Sequence, residues 1–297
     1  MTRLSHQFAR FLPQTVFACA LGLAALPTAA QTAVATPAAA DASEQALILR
    51  AAERVYTREL FRLSAAKTLN TDAAAVSRVR SAADPVIRRA GELRPGTGSW
   101  QWSANVETSA VPLLYCLPGG RILVSTGLLD RVRPNPGELS ALLAHAIAHA
   151  LDDRDGEEAV AELAQRGAAV DPDPNRVELA LGESLLKRIL DAPRQPAAEQ
   201  RADALALEMV ATSAQDPRVA PAAWRKVATL TDTRPPAFPA LHPATEDRTA
   251  AMESLMPAML AKYDEAKRNQ VPPETAKSMP QARQPKGARG EGRPIRK

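Results

Sequence analysis

Aromatic residues are scarce in this chain: three Trp, three Tyr and five Phe among 297 residues. A core built on large rings is therefore ruled out. Apolar residues make up 45% of the chain and much of that share is alanine, which favours helices packed closely through small side chains. Cysteine is scarcer still, with two residues. Cys19 falls in an N-terminal apolar run, so Cys116 stands alone in the remainder and has no partner for an internal disulfide. Its setting, VPLLYCLP, points to a buried thiol. Long apolar runs are also missing. No stretch of about 18 apolar residues follows the N-terminus, so the mature chain has no membrane-spanning helix. Histidine is limited to His6, His145, His149 and His242.

The two ends differ from the middle. Arg3 and Arg10 precede the apolar run TVFACALGLAAL, and PTAA supplies small residues after it. Residues 1–30 thus read as a secretory signal cleaved after Ala30, with the mature protein in the periplasm, free or associated with the membrane surface. Cys19 lies inside the apolar run instead of after it, which argues against lipid attachment. Residues 31–43, rich in small residues, read as a disordered linker. The tail 271–297 carries seven basic and two acidic residues among many Pro and Gly. It reads as disordered, and its charge suits anionic envelope polymers or lipid headgroups as partners. The formal charge of +4 thus belongs to the ends, and the body is net acidic. A secreted chain with an acidic body excludes nucleic acid as a partner.

Residues 44–270 read as one mostly helical α+β domain. Leu47, Leu49, Val55, Leu60 and Leu63 recur at helical spacing, with Ser43 as a cap. A second helix is expected over 72–91. The period then changes: SWQWSANVE alternates, VPLLYCL is a short apolar run, PGG is a turn, and RILVST resumes strand character. These predict a three-stranded sheet. Asn135-Pro136-Gly137-Glu138 starts a helix that runs to about Asp152, with Asn135 and Glu138 as a capping box. Further helices are expected within 156–192, broken at DPDPN, and over 196–212, 221–230 and 244–267. TDTRPPAFPALHP reads as a proline-rich loop.

His145 and His149 stand four apart on the strongest helix, so both imidazoles point from one face and can meet one ion. The spacing alone weighs a metal pair and a pair of buried histidines equally. On the helix of AAEQRADALALEM, Glu199 and Asp203 again stand four apart. Zinc with two histidines needs a third protein ligand, which a carboxylate can supply. A second carboxylate one turn on can hold the outer N–H of a ligating imidazole.

Four segments in order then resemble a known family. LLYCLPGGRILVSTGLLD, ELSALLAHAIAHAL, EQRADALALEM and LHPATEDR are similar, over about residues 100–255, to the zinc metallopeptidases of the HtpX, BepA and LoiP kind, which include the CAAX prenyl proteases. The resemblance implies a gluzincin-like fold with two metal-bearing helices and one Zn2+ held by His145, His149 and Glu199. It implies Asp203 behind a ligand, His242 as a transition-state contact and Arg248 as support beside the cleft. It further implies that the strand Arg121, Ile122, Leu123, Val124 and Ser125 is the sheet edge to which a polypeptide substrate adds as a further strand.

One letter departs from the family. Its zinc helix reads His-Glu-x-x-His, and Ala146 stands where the glutamate carries protons between water and the leaving amine. Leu113 also replaces an asparagine. Glu138 lies two turns away along the helix, about 10 Å, and Glu246 sits on the His242 loop. The resemblance therefore implies an inactive or strongly attenuated peptidase that binds extended or unfolded polypeptide. Two alternatives stay open: an active metalloendopeptidase of envelope protein quality control with a substitute base, and a metal-free structural protein.

Overall fold

The computed structural model describes residues 37–152, 154–166, 171–191, 193–231 and 234–269. The segment 1–30 read as a signal and the tail 271–297 lie outside the described residues. Among the described residues, ten α-helices and three strands follow in the order α1 (Pro37–Ala65), α2 (Ala73–Leu93), β1 (Ser103–Glu107), β2 (Leu114–Leu117), β3 (Arg121–Ser125), α3 (Thr126–Val132), α4 (Pro136–Leu151), α5 (Arg154–Gln165), α6 (Pro174–Asp191), α7 (Pro196–Thr212), α8 (Val219–Val227), α9 (Phe238–Leu241) and α10 (Glu246–Arg268). The expected mostly helical α+β architecture is thus present. Two boundaries differ. Helix α1 starts at Pro37, inside the stretch read as linker, because alanine is the strongest helix former and the run PAAADAS continues into the amphipathic segment. The proline-rich loop contains the short helix α9, whose Phe238 packs into the core.

The sheet separates two apolar layers. Ala104, Val106, Leu114, Cys116, Ile122 and Val124 face α2, α4, α7, α8 and α10. Leu113, Tyr115, Leu117 and Leu123 face α1, α5 and α6. The pleat sends alternate residues to opposite faces, which produces this division. Helix α4 is buried along its length from Glu138 to Leu151, as an Ala- and Leu-rich helix with no polar face must be. Cys116 is 4% exposed, and burial pushes its thiol well above the usual range, so the expected buried, unreactive thiol is found.

Strand order is β1-β3-β2, and this overturns the expected edge. The Pro118–Gly120 turn, with Gly119 and Gly120 at φ +84° and +79°, folds β3 back against β2. Strand β1 then pairs with the other side of β3 in parallel. The strand Arg121, Ile122, Leu123, Val124, Ser125 is therefore central, and its backbone groups are taken on both sides. Ser125 Oγ is committed as well: it accepts from the amides of Leu113 and Leu128 and donates to the Val111 carbonyl. The outer edge of β1 is met by residues 68–70, through Asn70 N–H to Val106 O at 2.7 Å and Thr108 N–H to Thr68 O at 2.8 Å. Strand β2 is the edge beside α4.

Candidate metal centre

Helix α4 is fixed at its start by the capping box that its sequence suggests. The Glu138 amide donates to Asn135 Oδ1 at 2.9 Å, and the Asn135 amide donates to Glu138 Oε2 at 2.7 Å. Lys226 closes on the same carboxylate at 2.5 Å. His145 and His149 then fall on the face that meets α7. Ala202 and Ala206 leave room for α7 to approach, and Arg201 ties it to Asp152 at the end of α4 at 2.8 Å. Glu199 in the first turn of α7 and Asp203 one turn on come opposite the imidazoles.

A third imidazole joins them. His242 terminates α9, its amide donating to the Phe238 carbonyl at 2.9 Å. Phe238 also donates its amide to Pro112 O at 2.6 Å, which ties this loop to the lead-in of β2. Trp224 stacks on Phe238, and Phe238 lies against His242, so an aromatic wall holds that ring in place.

His145 Nε2 is 3.1 Å from His149 Nε2 and 3.3 Å from His242 Nδ1. Glu199 Oε1 is 3.1 Å from His149 Nε2 and 2.9 Å from His242 Nδ1. One nitrogen from each imidazole and one carboxylate oxygen all lie within 4.8 Å of one another, and all four residues are buried. Tetrahedral zinc with bonds near 2.0–2.1 Å sets its ligand atoms about 3.3 Å apart. The four separations given, 2.9–3.3 Å, lie near that figure. Ring nitrogens that converge so closely must share protons or a cation between their lone pairs. The donor set therefore suits Zn2+, which would supply Lewis acidity there.

Behind the cluster, charge is neutralised locally. Asp203 Oδ1 lies 2.9 Å from His145 Nδ1, the position from which a carboxylate turns Nε2 toward an ion. Arg248, 5% exposed, reaches Asp203 with Nε at 2.9 Å and Nη2 at 2.8 Å, and Glu199 Oε2 with Nη1 at 2.7 Å. Its guanidinium sits 4.0 Å from the centroid of the Trp224 ring. Burial alone would raise the Glu199 and Asp203 carboxyls. The imidazoles, and Arg248 at Asp203, outweigh it and hold both groups below the usual carboxylate range. Burial lowers His149 well below its ordinary value and His242 to about 4, which favours the neutral, metal-binding form. Burial works the same way on His145, but Glu199 and Asp203 outweigh it and leave that group raised.

The residues singled out from sequence thus come together, with two refinements. His242 contributes a nitrogen to the donor cluster itself. The LHPATEDR segment implies a contact beside the cleft for His242, and nothing in it implies a place among the donors. Leu113 packs with Tyr115 and Leu117 in the layer toward α1, α5 and α6, so its side chain belongs to that core. Ala146 is 3% exposed and follows His145 on α4. Glu246 is exposed on the first turn of α10, and Glu138 is committed to its cap.

Residues 73–170 match peptidase family M48. The match covers about a third of the chain, and the donor cluster draws His145 and His149 from one helix, as a zinc metallopeptidase of that family would require. Mitochondrial metalloendopeptidase OMA1 of Schizosaccharomyces pombe is 26% identical over 173 residues, covering 57% of this chain and 51% of its own length. The Arabidopsis thaliana protein of the same name is 26% identical over 174 residues, covering 55% of this chain and 34% of its own. The chain thus spans about half of the first relative and a third of the second. Among the described residues, no helix is long and apolar enough to cross a membrane.

Proposed function

We propose that this chain is a zinc-holding member of its family with lost or strongly attenuated peptidase activity, and that it binds extended or unfolded polypeptide in the periplasm. One observation carries the reading: Ala146 puts a methyl group where the reaction needs a proton carrier. The neighbouring carboxylates offer no substitute. Glu199 is engaged by three imidazoles and Arg248, Asp203 by His145 and Arg248, Glu138 by the helix cap and Lys226. A positioned acid–base group is worth about 10²–10⁴ in rate. Four protein donors around one ion are also the arrangement of closed, structural zinc sites, whereas catalytic sites keep one position open. His145, His149, Glu199 and His242 would hold the ion, with Asp203 and Arg248 orienting and neutralising them. Strand β2 offers the sheet edge for polypeptide, since β3 is paired on both sides.

The test restores both missing features. Purified wild type should contain one zinc per chain and leave casein intact. Ala146→Glu combined with His242→Ala should gain chelator-sensitive cleavage, above either single variant. Wild-type cleavage at a rate that Ala146→Glu does not change, or a chain that takes up no zinc, would overturn the reading. Sequencing the N-terminus of the exported protein tests the periplasmic assignment, with Gln31 expected first.

A further inference from the structure

A cavity of about 490 Å3 lies between the end of α4, α5, the end of α6 and the start of α7. Its size is that of a small-ligand site. Its lining is unlike one for apolar side chains, since ten of the sixteen described wall residues are charged. His149 is the one member of the donor cluster in that wall, so the cavity adjoins the metal centre.

Acidic and basic residues are equal in number among the described wall residues, yet their hydrogen-bonding capacity is not equally used. Each acidic group has a cation. Asp152 meets Arg201 at 2.8 Å, and Asp155 meets Arg194 at 2.6 Å. Glu158 pairs with Arg188, Glu162 with Arg166, and Asp191 with Lys187. Two buried donors in the same wall make no hydrogen bond: Nε of Arg188 and Nε of Arg194. Arg194 uses Nη1 alone on Asp155 and is 13% exposed, so it is a mostly buried guanidinium with one edge unclaimed. Its backbone is fixed by its amide, which donates to the Leu241 carbonyl next to His242. The start of α7 also faces this space through Gln195, Ala197 and Ala198, and the Gln195 side chain does not cap the helix. A helix start without a side-chain cap favours an anion.

We propose that this cavity is a carboxylate pocket, in which Arg194 and Arg188 receive the C-terminal carboxylate of a bound polypeptide. The reasoning is one of unmet capacity. Arginine donates and cannot accept, so the completing group must bring acceptor oxygens and negative charge. The choice of a peptide as its source rests on the polypeptide-binding reading above. The pocket itself does not. Asp155 is then an internal carboxylate that already holds part of Arg194, and removing its charge should improve ligand binding.

Calorimetry on the full chain with a short unstructured peptide as free acid, the same peptide amidated, succinate and inorganic phosphate tests this. The free acid should bind about tenfold or more tightly than the amide, the size expected for hydrogen bonds to a charged group. Arg194→Gln and Arg188→Gln should erase that preference while circular dichroism stays unchanged. Asp155→Asn should tighten free-acid binding, a gain that a purely structural role for the ion pair would not give. Equal binding of acid and amide overturns the pocket and leaves the polypeptide reading standing. Succinate binding that depends on Arg194, with neither peptide bound, supports the pocket and sinks the peptide source. Phosphate bound in place of every carboxylate, or no binding at all, overturns the proposal.

Discussion

The two layers on either side of the sheet solve the same packing problem with different chemistry. Toward α1, α5 and α6, the buried side chains are aliphatic residues, two tyrosines and Asn105, whose side-chain amide donates to the Tyr56 hydroxyl at 2.9 Å, and charge stays at the rim. Toward α4, α7 and α10, the chain buries His145, His149, Glu199, Asp203, His242 and Arg248 together. The first layer buries no charge and is stable chiefly through buried area. The second is stable only while each charge keeps its partner, because an unpaired buried charge costs far more than a pair returns. The same fold therefore has a passive half and a conditional half, and the conditional half holds the chemistry.

Removing Arg248, the buried guanidinium between Glu199 and Asp203, should break that comparison most clearly. Arg248→Met keeps the volume but strips Glu199 and Asp203 of their counter-charge. We expect a loss of about 3–5 kcal/mol in urea unfolding without metal, typical of a broken buried pair. Asp203→Asn in the same background should restore part of it, so the double variant should lose less than the two single losses added together. Additive losses would mean that the two residues act independently.

Zinc should come next. An ion that binds only the folded chain adds about 2.7 kcal/mol at 100 times its dissociation constant. Thermal melts with zinc and with chelator should therefore separate for wild type and coincide for His149→Ala. A zinc-dependent shift that survives His149→Ala would place the ion elsewhere.

The passive half fails differently, through crowding. Gly182 on α6 lies so close to α1 that an added Cβ would stand 2.5 Å from the Ala51 carbonyl oxygen. Backbone cannot step aside as a flexible side chain can. Gly182→Ala should cost about 1–3 kcal/mol, the range for overpacking, and leave zinc content unchanged. Altered zinc content would show that the two layers are coupled.

The passive half was also the more legible one, at the level of elements. The body of α1 from Leu47 to Leu63 and the break at DPDPN follow from apolar spacing and turn residues, since both are local. The start of α1 at Pro37 was missed because a disordered Ala-rich linker and an Ala-rich helix share a composition. In the conditional half, His145, His149, Glu199 and Asp203 were readable because helical spacing fixes each pair on one face. The entry of His242 into the donor cluster was not, because it depends on where Phe238 docks, in a loop with no period. Strand order was not readable either. Sequence marks β3 as a strand, but only the parallel return of β1 decides that it is central.

The smallest effect expected is the most telling about the rim. Arg50 and Arg54 reach Glu178 at 2.8 and 3.0 Å, and Arg58 reaches Glu183 at 2.5 Å, so a row of ion pairs joins α1 to α6. Arg58 and Glu183 are each 52% exposed, so water screens them and ordering two long side chains offsets most of the attraction. Arg58→Ala should change stability by less than about 0.5 kcal/mol in urea unfolding, and 1 M salt should remove even that. The paired helices would then be held by Val55, Leu181 and Leu185 beneath the row and not by the row itself. A loss comparable with that of Arg248→Met would mean that surface charge carries this layer too, and the division between the two halves would collapse.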